Sequence, residues 1–165
     1  MIKKIALIFI IVLAVNNCTP DDICSDGTPT TPLLIIKFMD ITNQTERKAV
    51  PNLLITDRDD PSIIVLFEAV TDSIAIPLRN FSTSTQFIFT KDNIESDLSD
   101  PNPDMFSVSY TLEDVYINRA CGFKTTYQNI SPVIENEGLE NWMLSFEILQ
   151  TNIENINETH ISIFH

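Results

Sequence analysis

In Phe106-Ser107-Val108-Ser109-Tyr110-Thr111-Leu112, apolar and polar residues alternate at every step. That is the period of two required of a strand with one buried face. On either side, short segments rich in β-branched and aromatic residues recur between turn signals. Strands are predicted over Leu33–Ile41, Asn52–Thr56, Ile63–Glu68, Ser73–Leu78, Thr85–Thr90 and Phe106–Leu112, then Val115–Asn118, Gly122–Asn129, Trp142–Gln150 and His160–Phe164. Trp142, Leu144, Phe146 and Ile148 read as a second one-faced set. Leu33 to Ile36 and Ile63 to Phe67 are apolar without alternation, as in central strands covered on both sides. No segment carries a helical stripe of more than three turns. Asp57-Arg58-Asp59-Asp60-Pro61 and Asp100-Pro101-Asn102-Pro103-Asp104 are loop signals, and with only three glycines, Asn and Asp must take many turn positions. The expected fold is all-β: an antiparallel, immunoglobulin-like β-sandwich, with a closed β-barrel as the alternative.

The N-terminus carries a different message. Lys3 and Lys4 precede an unbroken apolar run from Ile5 to Val15, too short for a bilayer span and suited to an export signal. The following Ala14-Val15-Asn16-Asn17-Cys18 resembles the lipobox of a bacterial lipoprotein. That resemblance implies acylation of Cys18 and removal of residues 1–17 as a signal peptide. Asn17 is larger than the small residue usual before such a cysteine. A soluble periplasmic protein or an uncleaved anchor are the competing readings. No Asp directly follows Cys18, so inner-membrane retention is not signalled. Residues 18–32 read as a short lipidated tether, and 33–165 as a single all-β domain.

Removing residues 1–17 leaves 148 residues and moves the formal charge from −13 to −15. A chain of that size buries roughly 68–70% of its unfolded surface. Its charge argues against nucleic acid as a partner and against direct attraction to anionic lipid. Membrane affinity then falls to the acyl chains, at about 0.8 kcal/mol per buried methylene.

With Cys18 assigned to lipid, two of the three cysteines remain, Cys24 and Cys121. In an oxidising envelope such a pair is most simply a disulfide. The alternative is a reactive Cys121 thiol beside Arg119 and Lys124. No Cys-x-x-Cys accompanies it. Six Cα steps separate Cys18 from Cys24, a reach of roughly 20 Å. A disulfide there makes the domain membrane-proximal.

Nothing in the sequence assembles a reaction. His160 and His165 are the only histidines. Five residues apart, they fall on opposite faces of a regular strand and share no metal. No Gly-x-Ser-x-Gly elbow or phosphate-cradling loop occurs. Two acidic groups, Asp57, Asp59 and Asp60, then Asp92, Glu95, Asp97, Asp100 and Asp104, are the only calcium candidates. They lack the EF-hand register and read as solvated loops. No catalytic residue, metal ligand or cofactor is assigned. Phe106, Tyr110, Trp142 and Phe146 are expected in the core, while Tyr116 and Tyr127 are candidates for the outside. Thr71-Asp72-Ser73-Ile74 resembles the O-glycosylation acceptor of Bacteroidota-type exported proteins, with Ser73 as acceptor; the alternative is a plain turn followed by a strand.

Together, several segments resemble a family of Bacteroidota-type lipoproteins, a domain of unknown function. They are Cys18-Thr19-Pro20-Asp21-Asp22-Ile23-Cys24, Thr31-Pro32-Leu33-Leu34-Ile35-Ile36-Lys37-Phe38 and Thr71-Asp72-Ser73-Ile74-Ala75-Ile76-Pro77-Leu78. Arg119-Ala120-Cys121-Gly122-Phe123-Lys124-Thr125 and the ending His160-Ile161-Ser162-Ile163-Phe164-His165 complete the set. The resemblance implies an outer-membrane lipoprotein and brings no activity. The expected role is a non-enzymatic binding or assembly module. Its partners would be the membrane, through the lipid anchor, and an outer-membrane β-barrel or other envelope protein. A carbohydrate-binding or hydrolytic surface lipoprotein is the alternative.

Overall fold

The computed structural model describes residues 23–92, 101–136, 138 and 140–165. Cys18, the N-terminal stretch expected to be a signal peptide and the acidic residues Glu95, Asp97 and Asp100 lie outside the described residues. Nine strands and no helix occur among those described. They are β1 (Leu34–Met39), β2 (Val50–Asp57), β3 (Ile64–Thr71), β4 (Ser73–Ile76), β5 (Ser84–Lys91), β6 (Asn102–Asn118), β7 (Gly122–Ile134), β8 (Ser145–Ile148) and β9 (Ile161–Phe164).

Two sheets form, in the orders β4-β1-β9-β8 and β3-β2-β5-β6-β7. Each keeps two edges, so neither closes into a barrel, and the expected sandwich is the architecture found. All pairings are antiparallel except β1 with β9, which run parallel with Ile36 opposite Ile161 and Met39 opposite Phe164. The core lies between the sheets. Leu34, Ile36 and Phe38 of β1 and Ile161 and Ile163 of β9 meet Leu53, Ile55, Phe87, Phe89, Phe106 and Val108 from the five-stranded sheet. Each such side chain contributes about 1.5–3 kcal/mol on full burial.

Two readings of apolar runs are corrected. β3 is an edge strand, with Ile64 and Phe67 more than half exposed, so the Ile63–Phe67 run is no doubly covered strand. Register shifts against β2 and a positive φ of 40° at Glu68 twist this edge, a device that discourages pairing with other chains. The expected Trp142–Ile148 face also fails. Trp142 is buried ahead of β8, donating its indole N–H to Phe89 O at 3.1 Å. Leu144 is more than half exposed and Phe146 and Ile148 a little over a third exposed at the sheet edge, so Phe146 is not a core residue. Val115–Asn118 is no separate strand either, because it is the outer end of the 17-residue β6.

The scarcity of glycine shows directly in the backbone. Asn52, Asp92 and Asn129 all take positive φ, between 44° and 57°. Asn129 matters most. Ser109 faces Ser131 and Thr111 faces Gln128, so two β7 residues oppose the single Tyr110. This bulge shifts side-chain parity along β7. Tyr127 points inward before it, and Ile130 and Pro132 point inward after it. The expectation that Tyr127 faces outward is thereby overturned.

Candidate functional site

The β6–β7 hairpin outgrows the sandwich. β5 pairs with β6 only from Asn102 to Ser109, and beyond that point β6 pairs with β7 alone, out to Asn118 opposite Gly122. The face carrying Tyr110 and Leu112 continues to Tyr116, which lies opposite Phe123. Their rings meet edge to face with centroids 5.3 Å apart. Tyr116 is 59% and Phe123 67% exposed. Tyr116 is thus outward, as the sequence allowed.

The hairpin turn is fastened to the start of the described chain. Cys24 and Cys121 form the expected disulfide, with Cα atoms 4.9 Å apart, inside the usual 4.4–6.8 Å window. Asn118 Oδ1 accepts the Cys121 N–H at 2.8 Å and shapes the turn. Thr125 N donates to Thr31 Oγ1 at 3.1 Å, which holds the N-terminal segment along β7. Ile23 and Ser25 share one surface depression with Tyr116, Ile117, Asn118, Arg119 and Ala120. Ile23 itself is 81% exposed.

A polar network occupies the β4–β5 connection. Arg79 Nη2 donates to Asp57 Oδ1 and Oδ2 at 2.7 and 2.6 Å, and its Nη1 reaches Asp59 Oδ2 at 2.5 Å. Asp57 Oδ1 also accepts the Asp59 and Asp60 N–H groups. Burial pushes the Asp57 carboxyl up, but the bonds from Arg79, Asp60 and Asp59 outweigh it and leave it below the ordinary 3.8. The expected solvated acidic loop is therefore, at Asp57 and Asp59, an arginine clamp. Arg79 sits 20 residues from Asp59, which hides the pairing from a local reading. Deeper in, the Arg79 N–H donates to Thr85 Oγ1, and Tyr110 Oη donates to Arg79 O at 2.8 Å. Thr85 in turn meets Tyr110 Oη at 2.7 Å. These bonds lock the β4–β5 loop.

In the second acidic group Asp92 stays close to half exposed, as expected, and Asp104 departs from the expectation. Asp104 is fully buried, and its Oδ2 accepts the Met143 N–H at 2.7 Å. It anchors the segment that carries Trp142. No group of three His, Cys, Asp or Glu fit to hold a metal occurs among the described residues.

The histidines are buried and separated. His160 Nδ1 accepts the Ile35 N–H at 2.9 Å, which requires that nitrogen to be unprotonated. His165 pairs its Nε2 with Lys48 O at 3.1 Å and packs edge-on against Phe38 and Trp142. Because β9 lies along β1, the two rings sit at opposite ends of that pairing. Burial depresses both pKa values below 6.5; at His165 the bond to Lys48 O opposes it, and the charges of Lys48 and Lys91 add to it. Tyr127 donates to Leu78 O at 2.9 Å, and burial, followed by the neighbouring Tyr110, pushes its phenol up to about 12.

Ser73 opens β4 directly after the turn at Asp72. Its hydroxyl donates to Ile36 O at 3.3 Å, a bond that a glycan on that oxygen would replace. Phe123, Ile23 and Arg79 were not singled out from sequence. For Phe123 a signal existed. Val115 to Lys124 holds no Asp or Glu in a chain with 23 of them.

These features define a disulfide-stapled, all-β sandwich with a projecting hairpin. No curated protein and no solved structure matches the chain. The chain belongs to a family of unknown function, DUF6452, whose model matches residues 52–165. The matched stretch includes Cys121 but neither β1 nor Cys24, so both the central strand of the four-stranded sheet and the staple reach outside it.

Proposed function

We propose that this chain is an envelope lipoprotein of Bacteroidota type, acylated at Cys18, attached to the outer membrane and acting as a non-enzymatic binding or assembly module. The Cys24–Cys121 disulfide carries this reading. Disulfides persist in oxidising compartments, which fits export. Pairing those two cysteines leaves Cys18, at the end of the charged and apolar leader, as the third. The polar groups of the described core are spent on holding loops, which favours a binding role over catalysis.

Mass spectrometry of the mature N-terminus from native membranes tests the anchor. An acylated Cys18 as first residue is expected, and an unmodified Cys18 or cleavage elsewhere sinks it. Crosslinking in those membranes, followed by partner identification, tests the assembly role. A hydrolytic activity abolished by alanine replacement of surface acids would overturn the non-enzymatic reading.

A further inference from the structure

We propose that the β6–β7 hairpin tip is a second, non-covalent membrane contact, with Tyr116, Phe123 and Ile23 seated in the bilayer interface. This rests on the acylation of Cys18 proposed above. Three observations converge on the tip.

The first is packing. Tyr116 and Phe123 lie on the continuation of the core-facing side of the hairpin, past the end of β5, and remain mostly exposed. An edge-to-face aromatic pair left in water, next to an 81% exposed isoleucine, has apolar surface to lose to a partner.

The second is reach. The tip is disulfide-linked to Cys24, six Cα steps from Cys18, so no more than about 20 Å of chain separates it from the acyl chains. An anchor at Cys18 holds this end of the molecule at the membrane. Phe67, by contrast, follows Leu66, which pairs with Ile55. Ile55 pairs in turn with Phe89, and Phe89 with Asp104. That register puts Leu66 level with Asp104, twelve β6 residues from Tyr116, and Phe67 one step beyond it, about 40 Å along the strand.

The third is charge. From Val115 to Lys124 the hairpin carries Arg119 and Lys124 and no acid, within a chain of net charge −13. The flanking acids are Glu113 and Asp114 on the sandwich side, Asp21, Asp22 and Asp26 on the N-terminal segment, and Glu154, whose carbonyl accepts from Lys124 Nζ at 3.0 Å; Asp114 is bonded to the Thr125 hydroxyl. Aromatic residues with a polar atom or edge favour the headgroup level, and long basic side chains beside them extend to lipid phosphates. The acid-free hairpin stretch from Val115 to Lys124 is the part of this acidic protein that an interface accepts, with the acids before and after Ile23 left on the water side. An outer-membrane protein is the competing occupant.

The test uses the full acylated protein added to phosphatidylcholine vesicles, with Phe123→Trp and Phe67→Trp compared against the single native Trp142. Acyl-brominated phosphatidylcholine should quench the added Phe123→Trp emission at least about twofold and leave Phe67→Trp unchanged. Equal quenching of the two, in protein whose Cys18 is acylated by mass spectrometry, overturns the tip contact while the anchor stands. An unmodified Cys18 overturns both. A photocrosslinker at position 116 in native membranes should label lipid. Labelling of one protein instead overturns the bilayer contact in favour of a protein partner.

Discussion

One hairpin carries two aromatic pairs on the same face, and they have opposite fates. Tyr110 and Tyr127 meet edge to face at 4.9 Å, buried beneath the four-stranded sheet. Tyr116 and Phe123 meet in nearly the same way at 5.3 Å, in solvent. Pairing across a hairpin is a local property of the ladder, available wherever two rings face each other. Burial is set by whatever lies above. The first pair sits where the second sheet covers the hairpin, and its hydroxyls reach Arg79 O and Leu78 O. The second lies past that cover, where the disulfide ties the turn to Cys24.

Breaking the disulfide should have the largest effect. The bond spans 97 residues, and a loop of that length is worth up to about 4.7 kcal/mol in the chain-entropy model, with about 2–5 kcal/mol typical of native bridges. Replacing both cysteines by serine should lower the unfolding free energy by that amount in chemical denaturation. A loss near zero would mean that the tip is uncoupled from the sandwich, and that the staple serves only to place the hairpin.

The two pairs can be separated by removing one oxygen from each. Tyr127→Phe leaves Leu78 O without its buried donor and should cost about 1–3 kcal/mol. Tyr116→Phe removes an exposed hydroxyl and should stay within about 0.5 kcal/mol. Equal losses in thermal denaturation would show that the tip is covered in solution.

The alternation from Phe106 to Leu112 sufficed to find β6, and the sandwich followed from many short strands with polar turns. The disulfide was legible from cysteine arithmetic. What the sequence hid was non-local. Tyr127 turns inward because Asn129 inserts a bulge, a parity change invisible to a period-two reading. Ile63 to Phe67 is as apolar as a central strand, yet strand order puts it at an edge. Asp57 and Asp59 looked solvated because their arginine lies two strands, β3 and β4, further along the chain. At the tip, Tyr116 was legible as outward, but its partner Phe123 became visible only through the register.

Acid offers a smaller and more selective probe. Burial first, against the weaker pull of Asn155 O and Glu158, keeps the His160 pKa below 6.5 in the fold. The unfolded chain therefore binds the proton more readily, and stability is complete above pH 6.5 and declines as pH falls from there towards the folded value. Protonation of Nδ1 also removes the acceptor for Ile35 N–H. Asp57 adds a second decline only below pH 3.8, where its arginine-held carboxylate takes up a proton. Hydrogen exchange at pH 5.5 should therefore quicken around β1 and β9, with the tip ladder unchanged. His165, buried at the other end of β9 and also held below 6.5, contributes a decline of the same sign, so His160→Gln should reduce the response between pH 5 and 6.5 at Ile35 and leave the part near Met39. Equal acceleration at Tyr116 and Phe123 would mean that the hairpin opens together with the sandwich.

The smallest effect concerns the exposed rings themselves. A double-mutant cycle on Tyr116→Ala and Phe123→Ala isolates their pairing from their individual contacts. Directly opposite residues in an antiparallel ladder contribute about 0.2–1 kcal/mol, and water on the free faces of both rings favours the lower end. The same cycle on Tyr110 and Tyr127 should give a larger coupling, because those rings are desolvated and their hydroxyls are bonded. In phosphatidylcholine vesicles, the tip coupling should change while the buried one stays fixed, since only the tip pair would exchange water for lipid. Identical tip couplings in solution and in vesicles would leave the aromatic pair as a plain ladder contact, with no second solvent to meet.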